Sequence, residues 1–235
     1  MGVIASKTAE LPLKFVAHSS DVISIAQGHG WLPGARYTNL RDVRSTKFKG
    51  RGFLDVDWRS YDFERHLAAA AATRPLMTVA RDVVDITDLE AILREADKLR
   101  AFAAIVLVVP KDERMAGKLD KLIPDEFLLA YSVPTAYGRT PIPASSFSRP
   151  VHLLGGRPDV QRQLAEELTV FSLDCNRFTL DARYGDFFDG DSFRPHPKGG
   201  YRRCIADSLS NINALWADYA PAVCKGTFVH GGIDE

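Results

Sequence analysis

The chain contains only three cysteines, Cys175, Cys204 and Cys224, in 235 residues. An odd count at wide spacing provides no disulfide framework and points to a reducing compartment, the cytoplasm. Net charge is missing too, because 30 basic and 30 acidic residues cancel. No global positive field advertises nucleic acid, so binding of that kind has to use a local patch. Two patches exist, RDVRSTKFKGRGF at 41–53 and FRPHPKGGYRR at 193–203. No apolar run approaches the roughly 20 residues of a membrane span, and MGVIASKTAELPLK at the N-terminus has no signal-peptide core. Its first residues fit a myristoylation pattern without a second anchoring signal, so no membrane partner is expected. His-x-His and Glu-x-x-His spacings are absent and the histidines are dispersed, which argues against a metal centre.

What remains is an ordinary globular composition, 46% hydrophobic and 26% charged, sufficient for a core. The length suits one large domain. Short apolar runs alternate with helical stretches. LKFVAH (13–18) reads as a strand, and a basic loop then leads to the strand GFLDVDW (52–58) and the helix YDFERHLAAAAAT (61–73). LMTVARDV (76–83) is the next strand, followed by the amphipathic helix ITDLEAILREADKLRAFAA, where Thr87 and Glu90 stand at capping-box spacing. The strand AIVLVVP (104–110), the helix ERMAGKLDKL and the strand EFLLAYSV (126–133) continue the series. A Pro/Ser-rich loop precedes VHLLG (151–155), the helix PDVQRQLAEEL and the strand VFSLD (170–174). Near-continuously apolar strands are those buried on both faces. Six or seven such units fit a closed (β/α) barrel or an open doubly wound sheet, both of the α/β class.

In either architecture, chemistry collects at the C-terminal strand ends. Three of these strands deliver aspartates there: Asp55 and Asp57 share one face if the strand stays extended, Asp82 closes MTVARD, and Asp174 closes VFSLD. A single aspartate after a strand is most often a turn or cap residue. Several converging on one rim repel one another, a cost usually tolerated for function. Carboxylates around one centre suit glycosidic chemistry, in which one attacks the anomeric carbon and another handles the proton. Cys175 has no histidine partner in sequence and reads as a small buried neighbour rather than a nucleophile.

The segment GGRPDVQRQLAEELTVFSLDCNRFTLDARYG (155–185) resembles the tRNA-guanine transglycosylase superfamily. The shared pattern is a strand ending in glycine, a Pro-Asp helix start, an apolar strand into Asp174-Cys175, and Ala182-Arg183-Tyr184-Gly185 beyond. The resemblance implies a (β/α)8 TIM-like barrel in a single domain, with its core at about 11–185 and a C-terminal extension at 186–235. It makes Asp174 the nucleophile. LMTVARDVVD is similar to the strand whose aspartate recognises the base, which assigns Asp82 to the purine. GFLDVDW stands where the proton-handling aspartate lies, so Asp55 or Asp57 takes that role. The family's zinc-site spacing is not met by Cys204 and Cys224, so neither a structural zinc nor any other cofactor is expected. Shortness and the missing zinc site resemble the compact, phage-type branch that inserts 7-deazaguanine bases into DNA. An infected host's cytoplasm would then be the location.

The implied reaction is a ping-pong exchange of guanine, in DNA rather than tRNA, for a 7-deazaguanine such as preQ0, by way of a covalent aspartyl-nucleoside. Tyr131 would stack on the base, Asn176 and Arg177 would orient the substrate or hold phosphate, and His18 would line the pocket. Arg183, Arg194, Lys198, Arg202 and Arg203 would form a rim for the phosphate backbone. Two rivals stay open: a barrel hydrolase using the same carboxylates on a glycoside or nucleoside, and a non-catalytic barrel that binds nucleic acid. The oligomeric state, a homodimer included, is also open.

Overall fold

The computed structural model describes residues 12–136 and 138–221. Cys224 and the N-terminal myristoylation-like pattern lie outside the described residues. Eight parallel strands close in chain order: β1 (Leu13–Ala17), β2 (Leu32–Arg36), β3 (Phe53–Asp55), β4 (Met77–Val79), β5 (Ile105–Val108), β6 (Leu128–Ser132), β7 (Val151–Leu154) and β8 (Val170–Asp174). β8 returns to pair with β1, which completes a (β/α)8 TIM-like barrel. Helices α1 (Ser20–Gly28), α2 (Phe63–Thr73), α3 (Leu89–Arg100), α4 (Leu119–Leu122) and α5 (Pro158–Leu164) follow β1, β3, β4, β5 and β7. The connections after β2 and β6 carry only single 3₁₀ turns, at Arg41–Val43 and Ala144–Ser146. Beyond β8 come α6 (Arg177–Ala182), an antiparallel hairpin of β9 (Asp186–Phe188) and β10 (Phe193–Pro195), and α7 (Tyr201–Leu215). No helix among the described residues is long and apolar enough to cross a membrane.

Residues in register on parallel strands point to the same side of the sheet, and neighbours along a strand alternate. The ladder therefore fixes what faces inward. Phe15 pairs with Asp174, Ala17 with Gly34, Gly34 with Phe53, Arg36 with Asp55, and His152 with Ser172. One inward layer is filled by three rings: Phe15 and Phe53 lie 5.6 Å apart, and His152 lies 6.2 and 5.0 Å from them. All three are buried, which contributes roughly 1.5–3 kcal/mol for each phenylalanine side chain. Toward the C-terminal rim the inward positions beyond these rings are Ala17, Gly34, Arg36, Asp55 and Asp174. Small residues there leave space above the plug.

Before β8, two elements, α1 and β2, lie where periodicity assigns nothing. Pro33 and Gly34 make LPGAR a poor strand by composition. Gly34 is needed because a Cβ there would sit 3.0 Å from the Ala17 Cβ and 3.2 Å from its amide nitrogen. Other expectations shorten. Gly117, at φ 68°, divides ERMAGKLDKL into a 3₁₀ turn and the four-residue α4. Thr87 does not cap α3. Asp85 caps the preceding 3₁₀ turn instead, with the Thr87 N–H donating to its carboxylate at 2.8 Å. The strand at GFLDVDW ends at Asp55, so Asp57 leaves the shared face. The segment 37–52 after β2 is held by Phe48, whose ring covers Gly52 so closely that a Cβ would come within 2.5 Å.

Behind β3 and β4, His66 of α2 is buried with Nε2 at 2.8 Å from Thr78 Oγ1 and Nδ1 at 3.2 Å from Tyr61 Oη. Burial lowers its pKa from the ordinary 6.5 to about 4. The fold thus favours the neutral ring, and its contribution is complete above about pH 6.5 and lost as pH falls toward 4. Unfolding followed across that window should show stability declining with acid, and the slope should be shallower in His66→Gln.

Candidate functional site

At the C-terminal mouth of the barrel is a cleft of about 290 Å³ lined by Ala17, His18, Gly34, Ala35, Arg36, Asn39, Asp42, Asp55 and Asn176. Asp174 lies on the inward face of β8, near enough to Asp55 for its charge to act on that carboxyl. Strand alternation puts it there: Ser172 points into the barrel, so Asp174 does as well. Its side chain is 10% exposed. The Gly155 N–H donates to Oδ1 at 2.8 Å, and His152 Nε2 lies 3.3 Å from the same oxygen. The Gln161 side-chain amide donates to the backbone carbonyls of Asp174 and Gly155 at 2.8 and 2.7 Å. This amide ties α5 to both strand ends. Asn176 accepts the Ala17 N–H at 2.9 Å and thereby joins the ends of β8 and β1.

Asp55 is partly buried, and its carboxylate accepts the Val56 N–H at 2.8 Å. Burial, and next the charge of Asp174, raise its pKa to about 7, against weaker opposition from Arg36. A carboxyl poised near neutrality beside a second carboxylate is the arrangement that separates acid from nucleophile. Arg36 is exposed at the end of β2 and makes no ion pair among the described residues. It is the cation nearest in register to Asp55.

The other expected residues divide. His18 lines the cleft, and burial followed by the nearby Arg183 lowers its pKa below 6.5, with Asp42 opposing. Asp82 lies past the end of β4, close enough to act electrostatically on Asp55, and is ion-paired to Lys111 at 2.6 Å. Asp57 falls in the turn after β3, where it accepts the Arg59 N–H at 3.3 Å; the chain turns before the two aspartates can share a face. Tyr131 pairs with Leu153 in register, so it points away from the inward-facing Ala130 and His152. Its buried ring packs edge-on against Phe147 at 5.3 Å, outside the cleft. Arg177 is bidentate to Asp181 at 2.5 and 2.9 Å, a link within α6. Arg194 pairs with Asp189 and Arg202 with Asp21, so these two expected rim cations are already engaged. Arg183 and Lys198 are exposed, and Arg203 donates to the carbonyls of Lys198 and Gly199 at 3.4 Å. Burial pushes the Cys175 thiol up to about 12.

Sequence reasoning passes over Arg36, His152, Gly155 and Gln161. Arg36 sits on the unassigned strand, and His152 looks like one more core residue of VHLLG until β7 and β8 are set in register. Residues 26–217 match the profile of DUF6610, a family of unknown function. The chain belongs to that family. No curated protein matches it. The matched span includes β3, β7 and β8, and so Asp55, Asp174, His152, Gly155 and Gln161, but not β1.

Because Asp55 binds its proton more tightly when folded than the ordinary 3.8 allows, its ionisation opposes folding progressively from about pH 4 to about pH 7. Asp55→Asn should therefore gain stability over wild type as pH rises through that window, with no gain at its acid end. Paired thermal melts at several pH values would measure it.

Proposed function

We propose that this barrel is a base-exchange transglycosylase that replaces guanine in nucleic acid with a 7-deazaguanine such as preQ0. The observation that carries the reading is the pair of inward carboxylates, Asp174 at the end of β8, held by His152 of β7 and by the Gly155 N–H just beyond it, and Asp55 at the end of β3, raised to about 7. They come from the two strands that the resemblance to the tRNA-guanine transglycosylase superfamily assigns to nucleophile and proton handler. DNA is favoured over tRNA by the likeness to the compact branch of that superfamily.

The target guanine is turned out of its stack, since C1′ of a paired nucleotide is hard to reach. A carboxylate lone pair of Asp174 forms a bond to C1′, and the C1′–N9 bond breaks. That electron pair goes to the departing guanine, which takes its proton from the Asp55 carboxyl. The deazaguanine then enters and gives its N9 proton to Asp55. Its ring nitrogen bonds to C1′, and the C1′–oxygen pair returns to Asp174. Two displacements retain the configuration. Asp82 would meet the N1–H and 2-amino edge of the base, exchanging its Lys111 partner for those donors. Arg36 and Arg183 are the cations available for phosphate at the mouth.

The decisive experiment incubates the protein with guanine-containing DNA and with tRNA, then runs denaturing gels. A covalent adduct is expected with wild type and none with Asp174→Asn, and labelled guanine should exchange without strand loss. Release of free base with an abasic product would instead assign a hydrolase. Unaltered nucleic-acid binding with no adduct and no product would leave only a binding barrel. Adduct formation should also decline as pH rises through about 7, as Asp55 loses its proton, and Asp55→Asn should abolish that decline along with most of the rate.

A further inference from the structure

Both hydrogen bonds to the Asp174 carboxylate converge on one oxygen. Gly155 N–H lies 2.8 Å from Oδ1 and His152 Nε2 lies 3.3 Å from it, while Oδ2 has no partner among the described residues. With the carboxylate oxygen as the acceptor of this contact, Nε2 is its donor. Nδ1 is then an acceptor, and its partner among the described residues is Ser172 Oγ at 2.7 Å, whose hydroxyl donates to it. Ser172 is itself fully buried, and the other acceptor within reach of its hydroxyl is the Met77 sulfur at 3.8 Å, a thioether far weaker than an imidazole nitrogen at 2.7 Å, so the proton goes to Nδ1. The imidazole is wedged against Phe15 and Phe53 with no exposed surface, so water has no route to substitute for it. A buried polar ring inside an apolar plug is expensive unless its partners are satisfied, and both of its nitrogens are.

We propose that His152 is a positioning residue that decides which oxygen of Asp174 reacts: Oδ1 is held, and Oδ2 makes the bond to C1′. This rests on the transglycosylase reading. In the first displacement an Oδ2 lone pair bonds to C1′ and the C1′–N9 pair leaves with the base. Oδ1 becomes the carbonyl of the ester and keeps its two donors. In the second, the C1′–Oδ2 pair returns to the carboxylate, and charge reappears on Oδ1 against Gly155 N–H and His152 Nε2–H, already in place. Such prepositioned donors act where charge develops. Ser172 locks the tautomer, as the partner of a functional histidine's second nitrogen generally does.

The test has two readouts. Long-range ¹H–¹⁵N spectra of the histidine rings should show His152 as the Nε2–H tautomer and should shift in Asp174→Asn. An Nδ1–H ring, or no response to that substitution, overturns the proposal. Adduct formation on single-turnover mixing should slow roughly 100-fold in His152→Phe, with oligonucleotide affinity unchanged, and recover in part in His152→Gln, which restores a donor. Should His152→Phe not fold, Ser172→Ala carries the same test, since freeing the tautomer should slow adduct formation without weakening binding. Wild-type rates in these variants sink this proposal alone. Absence of any adduct in wild type sinks the transglycosylase reading, and the covalent step assigned to Oδ2 falls with it.

Discussion

A closed barrel of eight strands has an interior that must be filled, and here the filling is done by the rings of Phe15, Phe53 and His152. Everything at the mouth depends on where that plug stops. Interiors pack near crystal density, so bulk placed low releases space only where small residues stand above it. Ala17 and Gly34 are those residues, and the cleft opens over them. Strand alternation then leaves no freedom: the positions two steps beyond Phe53 and Ser172 must also face inward, and both are aspartates. The same geometry that excludes water from the plug presents two carboxylates at its upper surface.

Those carboxylates are anchored differently. Asp174 is tied through its side chain to β7 and through its backbone to the Gln161 amide, so its position is over-determined. Asp55 has one backbone donor, and its dominant influences are burial and the charge of Asp174. Fixed position suits a group that forms a bond to carbon, and a proton affinity set by surroundings suits one that exchanges protons. Arg36 moderates the repulsion without neutralising it, since it is exposed and shares its field with solvent.

Much of the barrel is legible in the order of residues because parallel strands buried on both faces announce themselves as apolar runs; β1 and β3 to β8 all lie within such runs. β2 does not, since its close approach to β1 requires glycine at 34, and glycine beside proline reads as a turn. The loss of that one strand hides Arg36 as well. The place of Asp174 at the tip of a barrel strand could be read because it ends an apolar run. The choice between Asp55 and Asp57 could not, because it depends on where β3 stops. Tyr131 and Arg177 show the opposite failure: suitable chemistry, in plausible places in the chain, is turned outward or spent on Asp181. Register decides orientation, and register is a property of two strands rather than one.

The segment 37–52 replaces the helix that would ordinarily follow β2. Its apolar members Tyr37, Val43 and Phe48 are buried, while Arg41, Arg44, Lys47, Lys49 and Arg51 are all exposed. The strip is thus amphipathic without being helical, and it separates two kinds of mutational freedom. Its cations can be exchanged, added or lost across related chains at little cost to the core, which lets the charge beside the mouth drift or be selected independently of the fold. Its three buried side chains and Gly52 have no such latitude.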